Sequence, residues 1–184
     1  MKTELRNIAS IQTGFYAKPS KEGDIIYLQA KHFNEKGLLI NDLHPDLLSE
    51  NVSEKHLLNP GDIVFAAKGI KNFAAVFQEH NAAVASTSFF VIRLTVDYVL
   101  SDYLAWFLNH PNTLMILKRK ARGTSIASIS KSALEETVII VPDLEIQRKV
   151  LNINELRVLE NKLKEQIDSL KEKQIQQQII NVLK

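Results

Sequence analysis

The chain has 184 residues, is 45% hydrophobic, carries a formal net charge of +2 and contains no cysteine. That length holds one or two domains, and the apolar fraction is that of a folded protein rather than a disordered one. Disulfides, thiolate metal sites and a cysteine nucleophile are excluded. So is a membrane helix, because no stretch approaches the roughly 18 uninterrupted apolar residues a span needs. The polar start Met1-Lys2-Thr3-Glu4 lacks a signal-peptide core, so the chain reads as soluble and cytoplasmic.

In chain order, β-branched and aromatic runs bounded by turn residues predict strands over 25–29, 63–67, 74–77, 84–94 and 138–141. Asn59-Pro60-Gly61-Asp62 predicts a turn ahead of the second of these. Helices are predicted over 101–109, with Ser101 as cap, and over 112–120, followed by a short one capped by Ser130. From residue 144 to residue 184 there is no Gly and no Pro, which predicts one long helix. Its apolar residues Val150, Ile153, Leu156, Leu159, Leu163, Ile167 and Leu170 follow at steps of three or four. Such steps place them on one narrow stripe with charged flanks, as in a coiled-coil seam. The stripe weakens at Gln174, Gln176, Gln177 and Gln178 and resumes at Ile179, Ile180 and Leu183. From residue 145 to residue 183 such a helix is about 58 Å long, which exceeds what a domain of this size can bury against itself and calls for a partner. The expected fold class is α+β: an irregular mixed β/α domain over 1–143, then one long coiled-coil helix over 144–184.

Three enzyme readings are weak. His32, His44, His56, His80 and His110 form no i, i+3 or i, i+4 pair, so they build no local zinc site. Pro142-Asp143 and Glu160-Asn161-Lys162 formally match the PD…ExK pattern of metal-dependent nucleases. That match puts Glu160 and Lys162 in mid-helix, about 25 Å along from Asp143. Asn59-Pro60-Gly61-Asp62 lacks the second proline and the aromatic residue of an adenine-methylase signature, and no Gly-rich cofactor loop follows a strand. No catalytic residue, cofactor or metal is assigned.

Binding readings are better supplied. Residues 118–131, from Lys118 to Lys131, hold five basic residues and no acidic one, interleaved with Thr124, Ser125, Ser128 and Ser130. Lys and Arg neutralise phosphates, and hydroxyls and backbone N–H groups donate to phosphate oxygens. A second basic loop is Lys68-Gly69-Ile70-Lys71-Asn72, and a third polar one is Gln29-Ala30-Lys31-His32-Phe33-Asn34. Arg, Lys and Asn also suit guanine and adenine edges. The candidate DNA contacts are Lys31, Lys68, Lys71, Arg119, Arg122, Thr124, Ser125 and Lys131. The candidate seam is Leu156, Leu159, Leu163, Ile167 and Leu170. A solvated surface loop is the plain alternative for any one basic segment.

Several stretches stand out as motifs: Leu5-x-x-Ile8-Ala9-x-Ile11-x-x-Gly14, Leu57-Leu58-x-Pro60-Gly61-Asp62-Ile63-Val64, the run from Ala85 to Arg93, and Tyr103-Leu104-x-x-Phe107-Leu108. The most specific is Gly123-Thr124-Ser125-x-x-Ser128-Ile129-Ser130-Lys131-Ser132-x-Leu134, with Ile139-x-Val141-Pro142-x-Leu144-x-x-Gln147 after it. Together they resemble the specificity subunits of type I restriction–modification systems, in a half-length form. Where the family commonly has Pro-Pro-Leu-x-Glu-Gln, this chain reads Pro142-Asp143-Leu144-Glu145-Ile146-Gln147, which leaves the role of Gln147 open. The resemblance implies a non-catalytic subunit whose recognition domains read halves of a split site in double-stranded DNA. It also implies antiparallel spacer helices that carry DNA-adenine methylase subunits, with a motor-nuclease subunit adding cleavage. With one domain and one helix, this chain would pair with a second copy of itself and read inverted half-sites one to two DNA turns apart. Two rivals stand beside this reading: a coiled-coil adaptor without DNA binding, and a nuclease using Asp143, Glu160 and Lys162.

Overall fold

The computed structural model describes residues 1–20, 22–34, 37–40, 43–69, 71–79, 81–120 and 128–183. The chain forms two compact units, Met1–Gln147 and Arg148–Lys184. No helix among the described residues is long and apolar enough to cross a membrane.

Among the described residues the first unit has eight strands: β1 (Lys2–Glu4), β2 (Ala9–Thr13), β3 (Ile26–Leu28), β4 (Ile63–Ala66), β5 (Ala74–Val76), β6 (Ala83–Ala85), β7 (Phe89–Leu94) and β8 (Val138–Ile140). Three helices join them, α1 (Ser101–Asn109), α2 (Pro111–Lys120) and α3 (Lys131–Glu135), before the long α4 (Leu144–Val182). The main sheet has the order β2-β7-β4-β5 and is antiparallel throughout. β3 and β6 form a parallel pair, and β1 and β8 an antiparallel one. The fold is α+β.

The continuous apolar run of β4 follows from burial on both faces. Ile63 and Phe65 join a cluster with Leu5, Ile8, Ile92, Leu104, Leu108 and Leu117, while Val64 and Ala66 join Ile26, Leu28, Phe33, Phe73 and Phe89. Alternate residues of a strand point to opposite faces, so a central strand covered on both sides is apolar at every position. Before it, Pro60 presets the turn and Gly61 takes φ 92°, with the Asp62 N–H donating to Asn59 O at 2.9 Å. That is the type II turn geometry.

Two expectations need correction. The run 84–94 is two strands, not one: after Ala85 the chain turns through Ser86-Thr87-Ser88, with the Phe89 N–H donating to Ser86 O, and β6 leaves for β3. A Cβ on Gly14 would lie 2.0 Å from the Ser86 carbonyl oxygen, so this crossing admits only glycine. Nor is Ser101 the cap of α1. Leu100 holds the cap position, and the Ser101 hydroxyl donates instead to Gly61 O at 2.7 Å. Ser130 does cap α3, accepting from the Ala133 N–H at 3.2 Å. The second helix begins at Pro111, one residue earlier than expected, because proline at the first helical position gives up only an N–H that would have no partner.

Candidate nucleic-acid interface and helix seam

Three rings tie two of the candidate loops together. Phe33, which closes the turn carrying Lys31, sits 5.2 Å from Phe73, which closes the loop carrying Lys68 and Lys71. Phe89 on β7 packs edge-on against both, at 5.8 and 6.1 Å. The Asn72 amide donates to Ala66 O at 2.9 Å and fixes the second loop, while Gly69 takes φ 101° at its tip. Beyond it, Lys68 bridges to Ser128, and the Ile129 N–H donates to Ala67 O at 3.0 Å. The ring cluster and the bridge therefore join the roots of the Lys31 turn, the Lys68–Asn72 loop and the segment leading into α3.

Lys31, Lys68, Lys71, Arg119 and Lys131 are all exposed. Arg119 lies in the last turn of α2 with Lys118 and Lys120, beside an open depression lined also by Asn109, Pro111, Leu114 and Met115. Cations there also complement the helix dipole, which by itself is a structural role. Lys131 lies 3.5 Å from Glu135, and Lys120 lies 3.3 Å from Glu136. Both are exposed pairs, which cost little to exchange for a phosphate. Arg122, Thr124 and Ser125 lie outside the described residues.

Beside Lys31, His32 accepts the Gln29 N–H on Nδ1 at 3.2 Å. Burial and then the Lys31 charge hold its imidazole below the usual histidine range. The neutral ring, not the imidazolium, supports this turn, so its contribution is present above pH 6.5 and is lost as pH falls through the lowered folded value. Next to it the backbone folds back, the Ile40 N–H donating to His32 O, and leaves Leu38, Leu39 and Ile40 exposed at 59%, 43% and 54%. Sequence reasoning passed over these three, although an apolar triplet following a Gly in a polar segment is a visible signal.

Gln147, whose role the sequence leaves open, is fully buried. Its Oε1 accepts the Leu100 N–H at 2.9 Å, at the otherwise uncapped start of α1. Its Nε2 donates to Tyr98 O and Pro142 O, both at 2.8 Å. One amide thus closes the entry to α1 and the exit from β8. Asp62, also buried, receives both the Nε and an NH2 group of Arg93, at 2.8 and 2.6 Å, and this ion pair pushes the guanidinium pKa up.

The residues of the nuclease pattern have other work. The Asp143 carboxylate accepts the Ile146 N–H at 2.9 Å in the first turn of α4, and Glu160 pairs with Lys164 at 2.6 Å. Among the described residues no three carboxylates or histidines are grouped to hold a metal.

In the second unit the five seam candidates on α4 are open to solvent: Leu156 66%, Leu159 52%, Leu163 49%, Ile167 49% and Leu170 65%. At about 100° per residue these five fall within roughly 40° of Leu163 around the helix. The later residues do not continue that stripe. Gln174, Gln177 and Asn181 occupy its line, while Ile175, Ile179, Val182 and Leu183 lie roughly 100–200° away. The apolar face resumes on the other side of the helix.

The family model for the type I restriction modification DNA specificity domain matches residues 2–179. The chain belongs to this family. Among solved structures, this specificity-domain chain resembles the HsdS subunit from Thermoanaerobacter tengcongensis, with TM-score 0.60 and 20% identity over 90% of this chain and 43% of that one. It also resembles the type I restriction-modification S subunit from M. genitalium, with TM-score 0.57 and 15% identity over 90% of this chain and 40% of that one. A third likeness is to a chain in a structure concerned with complex assembly and conformational transition of the type I R-M system, with TM-score 0.64 and 15% identity over 87% and 38%. The chain thus spans less than half the length of each. No curated protein matches it.

Proposed function

We propose that this specificity domain is the sequence-reading, non-catalytic part of a type I restriction–modification complex, and that two copies paired through α4 direct methylation and cleavage to a bipartite DNA site. The observation that carries the DNA-reading part is the joining of three candidate loops by one ring cluster and one bridge, within a chain matched almost end to end by the family. A loop set anchored on a buried sheet holds its side chains in a fixed relation, which reading base edges requires. Lys31, Lys68, Lys71, Arg119, Arg122, Thr124, Ser125 and Lys131 supply phosphate and base contacts, and Leu38, Leu39 and Ile40 suit the methyl groups of thymine. The exposed row from Leu156 to Leu170 supports pairing of two copies, since an apolar stripe of this length is stable only when covered. A twofold pair of one recognition domain reads two inverted copies of one half-site. A DNA-adenine methylase and a motor-nuclease subunit supply the chemistry.

The test is DNA affinity of the complex assembled with its methylase, measured across salt concentrations. Replacing Lys68 and Lys71 with alanine is expected to weaken binding and flatten the salt dependence by about one unit of slope per lost phosphate contact. An unaltered slope would place those lysines away from DNA.

A further inference from the structure

The middle of α4 is arranged symmetrically. Leu163 is the central residue of Leu144–Val182. Leu159 and Ile167 stand four residues either side of it, and Leu156 and Leu170 seven. In an antiparallel pair with its twofold at Leu163, each of these side chains meets an apolar counterpart: Leu156 meets Leu170 of the other copy, and Leu159 meets Ile167. A parallel pair would also align the leucines but gives no reason for the symmetry about the centre.

This register has a consequence at the helix ends. It brings Ile179 level with Gln147 of the other copy, and Val182 level with Leu144. There the seam line is polar, at Gln174, Gln177 and Asn181, while Ile175, Ile179, Val182 and Leu183 occupy the opposite half of the helix surface, each 49–86% exposed. They serve some surface other than the seam. At the level they reach, the other copy shows exposed apolar groups of its own. Ile146 lies in the first turn of α4 at 46% exposure, and on β8, which ends four residues before the helix, Val138 and Ile140 are 53% and 50% exposed. Their strand neighbours on that face are Lys2, opposite Ile140, and Glu4, opposite Val138.

Resting on the pairing proposed above, we infer that the last two turns of each α4 leave the seam and dock on the outer face of the β1–β8 ribbon of the second copy, with Ile175, Ile179 and Val182 against Val138, Ile140 and Ile146. Each copy then closes the other at both ends, and the helix that pairs the domains also braces the partner domain at the root of its own helix.

The absence of cysteine makes this directly testable by cross-linking the full chain with a short bis-maleimide. Leu163→Cys alone should give a covalent dimer, and Leu156→Cys alone should not. Ile140→Cys/Ile179→Cys and Val138→Cys/Val182→Cys should each give a covalent dimer that the single variants do not. All six substituted positions are exposed in the single chain, so the domain folds with any of them. If Leu163→Cys links and neither double variant does, or the doubles link only within one chain, the docking is wrong while the pairing stands. If Leu156→Cys links to itself as readily as Leu163→Cys, the pair is parallel and the docking falls with the register. If nothing links and the mass is that of one chain, both readings fail.

Discussion

Gln147 shows what a single side chain contributes to this fold. It is buried, and its amide makes three hydrogen bonds to backbone groups at Leu100, Tyr98 and Pro142. Replacing it with leucine keeps the bulk and takes the partner from the Leu100 N–H and from the Tyr98 and Pro142 carbonyls. That should cost about 1–3 kcal/mol, read as a lower midpoint in denaturant unfolding. No loss would mean that water takes over the amide's place. The role was not legible from the sequence, because a glutamine four residues into a helix looks like any solvated helix residue; what it reaches comes from residues 98–100, far along the chain. Ser101 misled for the same reason. Its position fits a cap, yet the tertiary partner Gly61 claims its hydroxyl. Ser130 was legible because its partner, the Ala133 N–H, is local.

Among elements, the strands with dense apolar runs and the helices with clear periodicity were visible, and those that depend on their neighbours were not. β1 and β2 are short and largely polar in sequence, Lys-Thr-Glu and Ala-Ser-Ile-Gln-Thr, and exist because β8 and β7 pair with them. The division of 84–94 into β6 and β7 rests on the close approach of Gly14, which no local pattern announces. α4 was legible as a helix, since its composition has no breaker, but the shift of its apolar face after Leu170 was not. Its seam belongs to this scale. Leu163 is 49% exposed in the single chain, so Leu163→Asp should leave the domain's stability unchanged and abolish pairing, because a buried seam leucine is worth about 2–5 kcal/mol and an unpaired carboxylate there costs more. Light scattering should give the mass of one chain for the variant and of two for the parent. An unchanged dimer mass would remove the seam from the account.

For the whole molecule, the sequence showed that cationic loops exist, and the structure shows how their roots are joined. Lys31 and Lys71 belong to segments about forty residues apart, and the packing of Phe33 on Phe73, with Phe89 against both, makes those segments neighbours in the fold. Which bases they read depends on side-chain geometry at the groove, which no composition or spacing encodes. Symmetry, by contrast, has a signature in the DNA itself. If one recognition domain is used twice about a twofold axis, the recognised site must consist of a half-site and its own inverted repeat across a spacer. The most direct measurement is a map of adenine methylation in the host genome, with this gene present and deleted. Two inverted copies of one recognition domain should give one bipartite motif with two identical inverted halves, methylated only when the gene is present. A gene-dependent motif with two unrelated halves, or no motif lost on deletion, would contradict it.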